Sequence, residues 1–238
     1  MKTDGVDLAD VTIVVPTRNE ASNIGAFIQS IPDKVKLILV DSSDDDTAEI
    51  ASRLHPNNTI VYRAIMPISP ARHLGAQLAS TRWLLFSDAD VVFSEDYFRK
   101  LQTIGGLHSF FGPKLSLGEF HRYYKRIAGW QKLANRLSIP AVSGSNFVIR
   151  RDVYFSTGGF DVNLRVNEDS ELGWRTGRLG YRIRYIPDLV VYANDHRRLC
   201  RGAFKKSAHS ITRCFLLYFN LIPKRWRSSD WGYWTPAH

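Results

Sequence analysis

Apolar residues fall into short runs separated by polar turns through the first ninety positions. "VTIVVP" (11–16), "VKLILVD" (35–41), "TIVYRA" (59–64) and "RWLLFSD" (82–88) are brief and β-branched, the mark of buried strands. Between them, "NEASNIGAFIQSI" places Ile24, Phe27, Ile28 and Ile31 at helical spacing. "DTAEIASRL" and "SPARHLGAQLAS" (69–80) read as two more helices, with Pro70 acceptable in a first turn. Strict alternation of strand and helix predicts an α/β fold, with a mostly parallel, Rossmann-like sheet and helices on both faces.

Beyond residue 90 the alternation weakens. "FHRYYKRIAGWQKLANRL" (120–137) is helical, with Tyr123, Ile127, Trp130, Ala134 and Leu137 on one face and Arg122, Lys125, Arg126, Lys132 and Arg136 mostly on the others. "GSNFVIRRDVY" (144–154) contains a strand, "NEDSELGWRTGRLG" (167–180) is a helix ending at glycine, and "YRIRYIPDLVVYAND" (181–195) is strand-like. Residues 203–222 form a C-terminal amphipathic helix: Phe204, Ala208, Ile211, Phe215, Tyr218, Phe219 and Ile222 share one face, opposite Lys205, Lys206, His209 and Arg213. Pro223 stops that helix, and Trp226, Trp231 and Trp234 follow.

Composition sets limits on this picture. The 238 residues are 44% hydrophobic and 23% charged, ordinary for a protein with a core. Cys200 and Cys214 form no paired motif, so neither a zinc site nor a disulfide framework is indicated. "MKTDGVDLADV" is too polar for a secretory leader, and no apolar run reaches the roughly 18 residues of a spanning helix. The expectation is an intracellular protein that does not cross a membrane. The net charge of +9 is concentrated after residue 195, where nine Lys or Arg and eight aromatics accompany one acid, Asp230. Such a tail suits an anionic partner, a membrane surface or a nucleic acid.

The candidate chemistry lies where strands end, since ligands of parallel sheets bind at the carboxyl edge. Three ends are polar: Pro16-Thr17-Arg18-Asn19-Glu20, Asp41-Ser42 and Asp88-Ala89-Asp90. Alternation along an extended chain puts Asp88 and Asp90 on one side, where they can share a divalent ion or form a solvated turn. Asn167 is a good helix N-cap, and Glu168, Asp169 and Glu171 suit the first turn of a helix. Asp169 also suits a general base. Arg72 reads as an anion ligand at a helix start or as part of an amphipathic helix, and His196 as a metal ligand or a surface histidine.

Taken together, "VVPTRNEASNI", "LILVDSSDDDT", "ARHLGAQLA", "LLFSDAD" and "GSNFVIRRDVYFSTGGFDVNLRVNEDSELGWR" resemble the family 2 glycosyltransferases of GT-A fold over roughly residues 11–195. The resemblance implies an inverting, metal-dependent glycosyltransferase using a nucleoside-diphosphate sugar. Residues 1–90 would be the nucleotide-binding half and 91–195 the acceptor half. Pro16, Thr17, Arg18 and Glu20 would form the first nucleotide-binding strand end. Asp41 would contact the base, and Arg72 with Gly75 would match an Arg-x-x-Gly pattern. Asp88 would lie near ribose and metal. Asp90 and His196 would hold Mn²⁺ or Mg²⁺. Gly159-Phe160-Asp161 would be the turn before the catalytic helix, and Asp169 the base.

The Gln-x-x-Arg-Trp motif of polysaccharide synthases is absent, with "WRTGRLG" only a distant counterpart, which argues against a processive polymerase. The expected reaction moves a hexose, with GDP-mannose favoured over UDP-sugars as donor, to a lipid-linked hydroxyl. The tail, 196–238, would lie on the cytoplasmic membrane face through Phe204, Phe215, Phe219 and Trp226. The rival readings are a polyprenyl-phosphate sugar synthase and a nucleic-acid-binding module.

Overall fold

The computed structural model describes residues 5–194, 212–219, 221–222 and 227–229. A 3-10 turn, Leu8–Asp10, leads into β1 (Val11–Thr17), and β2 (Lys36–Asp41), β3 (Thr59–Arg63) and β4 (Trp83–Ser87) follow, separated by α1 (Ile24–Gln29), α2 (Thr47–Leu54) and α3 (Ile68–Leu78). The chain continues through β5 (Val91–Phe93), α4 (Tyr97–Gln102), β6 (Ser109–Phe111), β7 (Lys114–Leu115) and α5 (His121–Arg136). It then forms β8 (Asn146–Arg150), α6 (Arg151–Ser156), α7 (Glu168–Arg178), β9 (Ile183–Tyr185) and β10 (Val191–Ala193). A further helical stretch covers 212–218.

Seven strands form the central sheet in the order β3-β2-β1-β4-β8-β6-β9. β1 pairs in parallel with β2 and β4, β2 with β3, and β6 with β9, while β8 runs antiparallel between β4 and β6. Alternate side chains divide the core into two layers. Ile13, Val15, Leu37 and Leu39 pack on Ile24, Phe27 and Ile28 of α1 and on Tyr97 and Leu101 of α4. Val14, Ile38, Val40, Leu84 and Phe86 pack on Ala71 and Ala76 of α3, Tyr154 of α6 and Leu172 of α7. The mostly parallel α/β architecture expected from the sequence is the one observed. Gly75 lets α3 settle on the sheet, since a Cβ there would stand 2.3 Å from Val14 Cγ1. The glycine of the Arg-x-x-Gly pattern is thus a packing residue.

A second sheet, β5-β10-β7, lies where the sequence pattern weakens. Residues 181–195, expected as a single strand, are two strands in different sheets: β9 closes the edge of the large sheet and β10 centres the small one. The chain leaves β4 and enters β5 within three residues, Asp88-Ala89-Asp90. That short crossing is a turn, so the two acids do not lie on one extended strand.

Of the expected C-terminal helix, 203–222, residues 203–211 and 220 lie outside the described residues, Phe204 among them, and so do His196 and Trp226. The described part packs Leu217 and Ile222 on Leu164 and on Trp174 of α7. Phe215 and Phe219, placed on one apolar face by the sequence, are both exposed. Ile222 of that same face is buried, and so is Arg213 of the opposite side.

Candidate active site

Four charged groups from three distant segments meet at the carboxyl edge of the parallel strands. The Arg72 guanidinium of α3 is buried, and Nη2 donates to Asp88 Oδ1 at 2.5 Å. Nη1 donates to Glu168 Oε1 at the start of α7. Gly144 makes room for this, because a Cβ there would come within 2.4 Å of Arg72 Nη1. Phe160, in the turn Gly159-Phe160-Asp161, places its ring 6.0 Å from the same guanidinium. Asp88 Oδ2 also accepts from Ser145 Oγ at 2.5 Å. Burial alone disfavours a charged Arg72, but Asp88, Glu168 and Asp169 hold it firmly protonated.

Asp169 sits beside this cluster with part of its surface open. Its Oδ2 accepts from the Gly144 amide and its Oδ1 from the Ser170 amide, both at 2.7 Å. Its carboxyl is raised above the usual range by desolvation, which outweighs the attraction of Arg72 and the two amides. Glu168, fully enclosed, is raised to about 7 for the same first reason, against the pull of Arg72. Acids raised above their usual range in a cleft suit proton transfer.

Asn167 occupies the N-cap position of α7, but its side chain caps nothing. It adopts a left-handed backbone, φ 63°, which asparagine tolerates, and Nδ2 lies 3.2 Å from Cys214 Sγ. The cap expected from the sequence is therefore a tight turn that aims Glu168 and Asp169 back at Arg72.

The acidic crossing has a neighbour that the sequence did not flag. Lys114 of β7 brings its Nζ 3.2 Å from Asp90 Oδ1 and 3.9 Å from Asp88 Oδ2. A lone lysine in a stretch without pattern gives no signal in the sequence, and only the second sheet carries it to the acids. Asp90 is buried. Among the described residues no three acidic, histidine or cysteine side chains converge as a ready metal cage. Asp90 supplies hard carboxylate oxygen in a place that already holds a cation, the Lys114 ammonium. Both facts fit a magnesium- or manganese-type ion that takes its other ligands from water and phosphate.

The first two strand ends form a separate cradle. Asp41 is buried at the end of β2, and its Oδ1 accepts from Thr17 Oγ1 at 2.7 Å and from Ser43 Oγ at 2.6 Å. Its Oδ2 is buried without a hydrogen-bond partner among the described residues. The loops after β1 and β2 are laced together. The Asn19 amide donates to Ser43 Oγ, the Glu20 amide to Thr47 Oγ1, the Ala21 amide to Asp45 Oδ2 and the Asp44 amide to Asn19 Oδ1. The run Asp44-Asp45-Asp46 thus belongs to a braced loop. Pro16 is half-buried in β1, Glu20 accepts from Asn23 Nδ2 at 2.6 Å, and Arg18 is exposed beside this cradle.

Residues 12–104 match the family described as Glycosyl transferase family 2. Over 207 residues the chain is 29% identical to the succinoglycan biosynthesis protein ExoA of Rhizobium meliloti (strain 1021), covering 77% of this chain and 62% of that protein. It is 26% identical over 227 residues to the pre-mycofactocin glycosyltransferase of Mycobacterium tuberculosis (strain CDC 1551 / Oshkosh), covering 84% and 45%. The chain therefore spans about half to two-thirds of the curated relatives it matches.

Solved structures share the fold, two of which bind nucleotide sugars. The mannosyltransferase PcManGT from Pyrobaculum calidifontis, in complex with GDP-Man and Mn²⁺, superposes with a TM-score of 0.65 at 20% identity, over 92% of this chain and 72% of that one. S. aureus TarS 1–349 in complex with UDP-GlcNAc superposes with a TM-score of 0.66 at 15% identity, over 94% and 76%.

Proposed function

We propose, from the match of residues 12–104 to glycosyl transferase family 2, that the chain is an inverting glycosyltransferase. It moves a hexose from a nucleoside-diphosphate sugar to a hydroxyl of a lipid-linked acceptor. The observation that carries this reading is the convergence of Asp88, Glu168 and Asp169 around the buried Arg72. A structural ion pair needs one acid for one base, whereas this arginine is surrounded by three.

Each group then has a task. The lone Oδ2 of Asp41 accepts the ring N–H that both uracil and guanine present, which suits UDP- and GDP-sugars alike. Asp169 takes the proton of the acceptor hydroxyl. The freed oxygen attacks the anomeric carbon from the face opposite the diphosphate. The bond from that carbon to the diphosphate oxygen breaks, and its electron pair leaves with the nucleotide. No enzyme nucleophile enters, so the sugar inverts once. The two amides on Asp169 fix the direction of its free lone pairs. Arg72 keeps Glu168 and Asp88 from repelling one another.

Asp90, together with His196, would hold Mn²⁺ or Mg²⁺, which when bound supplies positive charge beside the departing diphosphate. The Lys114 ammonium lies on the same carboxylate and competes with the metal for it. The exposed Phe215 and Phe219 and the basic tail support a peripheral position at the cytoplasmic face of a membrane, where a lipid-linked acceptor is presented.

The test is a donor screen with GDP-mannose first and UDP-sugars beside it, in Mn²⁺, scoring nucleotide release with and without a polyprenyl-linked acceptor. Acceptor-dependent release of GDP or UDP is the expected result. Absence of release with every donor, by protein that still binds nucleotide, would refute it.

A further inference from the structure

Helix α5 faces the wrong way for a helix of a water-soluble domain. The sequence gives it an apolar arc, Tyr123, Ile127, Trp130, Ala134 and Leu137, which by ordinary amphipathic logic should face the core. It does not. The inward position belongs to Gln131, the helix's only buried residue, whose Nε2 donates to the Ala141 carbonyl at 2.9 Å. One turn on, Asn135 bonds the edge strand of the large sheet from both ends of its amide. Nδ2 donates to Ile183 O, and Oδ1 accepts from Tyr185 N, each at 2.9 Å. These polar anchors cap the open edge of β9 and fix the rotation of the helix.

At 100° per residue the centre of the arc lies about a quarter turn from Gln131, which leaves its outer edge, Trp130 and Leu137, in solvent. Trp130 is 70% exposed, Leu133 45% and Leu137 66%. Leu117, just before the helix, is 82% exposed.

Also on the solvent side, across Leu133 from Trp130 and Leu137, Lys125, Lys132 and Arg136 form a basic stripe, and Arg122 and Arg126 stand at the N-terminal end. No acid occurs between residues 120 and 137, and none of the five basic residues forms an ion pair among the described residues. An apolar stripe flanked by unpaired positive charge, lying parallel to a surface, is the pattern of an interfacial helix. We propose that α5 rests on an anionic lipid surface, with Trp130, Leu133 and Leu137 entering the headgroup boundary and the basic stripe paired with lipid phosphate.

The charge pattern chooses this occupant over the others. A second copy of the chain would set two all-basic faces against each other. A nucleic acid would engage the basic stripe but leave Leu133 and Leu137 in water.

The position fits the proposed reaction. The loop leaving α5 packs on α7, where Pro140 and Val142 lie against Gly177 and Gly173. Trp174 of α7 in turn holds the 212–222 segment that exposes Phe215 and Phe219. Asp169 begins α7, so the base stands on the helix that both candidate lipid-facing elements flank. The inference rests on the lipid-linked acceptor only for its purpose. Its test reads binding, so the two can fail separately.

The experiment compares the full chain with two triple variants, Trp130→Ser/Leu133→Ser/Leu137→Ser and Lys125→Ser/Lys132→Ser/Arg136→Ser. All six positions are on the exposed side, and retained thermal stabilisation by GDP or UDP verifies the fold. Partition onto phosphatidylglycerol-containing vesicles is measured by flotation. At about fivefold per basic residue, the charge variant should lose about 100-fold, and the apolar variant about tenfold or more. Independently, brominated lipid should quench the emission that Trp130→Phe removes, which keeps the test decisive where the tail alone retains the protein on vesicles. Unchanged partition in both variants with no quenching of Trp130 would overturn the proposal. So would loss in the charge variant alone without quenching, which is adsorption by charge, or preference for RNA over vesicles.

Discussion

Replacing Arg72 with methionine isolates the electrostatics that hold the site together. Methionine keeps an unbranched stem of similar reach and removes only the charge and the donors. Asp88 and Glu168 then face each other without their shared guanidinium, to which both are now bonded. Breaking a buried ion pair by removing one partner costs about 3–5 kcal/mol, because the other charge stays behind unsolvated.

The loss should depend on pH in a direction the structure sets. Glu168 titrates at about 7 when folded, against a reference of 4.5. A carboxyl raised on folding binds its proton more tightly in the native state. Its contribution to stability is therefore fully present below the unfolded value and is lost as pH rises toward the folded one. Removing Arg72 takes away the main attraction that opposes burial, so the folded value climbs further and the window widens. At pH 5, Glu168 carries its proton in both proteins and little of its share is lost. At pH 8, one unit above the folded value of about 7, at most one unit of the added shift is expressed, about 1.4 kcal/mol.

Urea unfolding of both proteins at pH 5 and pH 8 gives the comparison. A loss larger at pH 8 than at pH 5 by about 1 kcal/mol is expected. Equal losses at both pH values, or a loss below about 1 kcal/mol at pH 8, would mean that the guanidinium is not what neutralises this cluster.

Other perturbations separate the remaining roles. Asp169→Asn should lower transfer by about 10²–10⁴-fold while nucleotide binding, followed by calorimetry, is retained. The variant should also lose about 1–3 kcal/mol of stability, since an amide has one oxygen for two backbone donors, Gly144 and Ser170. Asp41→Asn, with an NH₂ in place of the unpartnered oxygen, should weaken GDP or UDP binding by about 10–150-fold, the range of a hydrogen bond to a charged group, with little change in unfolding midpoint. Lys114→Gln should lower the Mn²⁺ concentration that half-activates turnover, because a competing ammonium leaves Asp90. An unchanged or higher requirement, or full wild-type activity in excess chelator, would contradict that assignment.

What the sequence discloses and what it hides divide along physical lines. Strands β1, β2 and β4 were legible because both their faces are buried, and the exposed edge strand β3 because of its β-branched run. Runs such as "VTIVVP" and "KLILV" must then be apolar throughout, and the polar residues that close them stand out. Asp41, Asp88 and Asp90 were found that way, and Arg72 and Asp169 by their place at helix starts. The small sheet was not legible, since strands of two or three residues carry no period. Lys114 belongs to it and was lost with it. Asn167 was read by residue preference as a cap, yet its backbone is left-handed, and a turn that aims two acids at one arginine is a tertiary demand that propensity does not encode.

Helix α5 shows a different limit. Its periodicity was legible, but periodicity alone does not say which way an apolar arc faces. Two amide side chains, Gln131 and Asn135, outrank that arc by closing backbone groups that would otherwise stay unpaired at the sheet edge. An unpaired buried backbone group costs about 1–3 kcal/mol, and the three bonds together rival the burial of Trp130 and Leu137. A sequence keeps both features on one helix only when something other than its own core receives the apolar side.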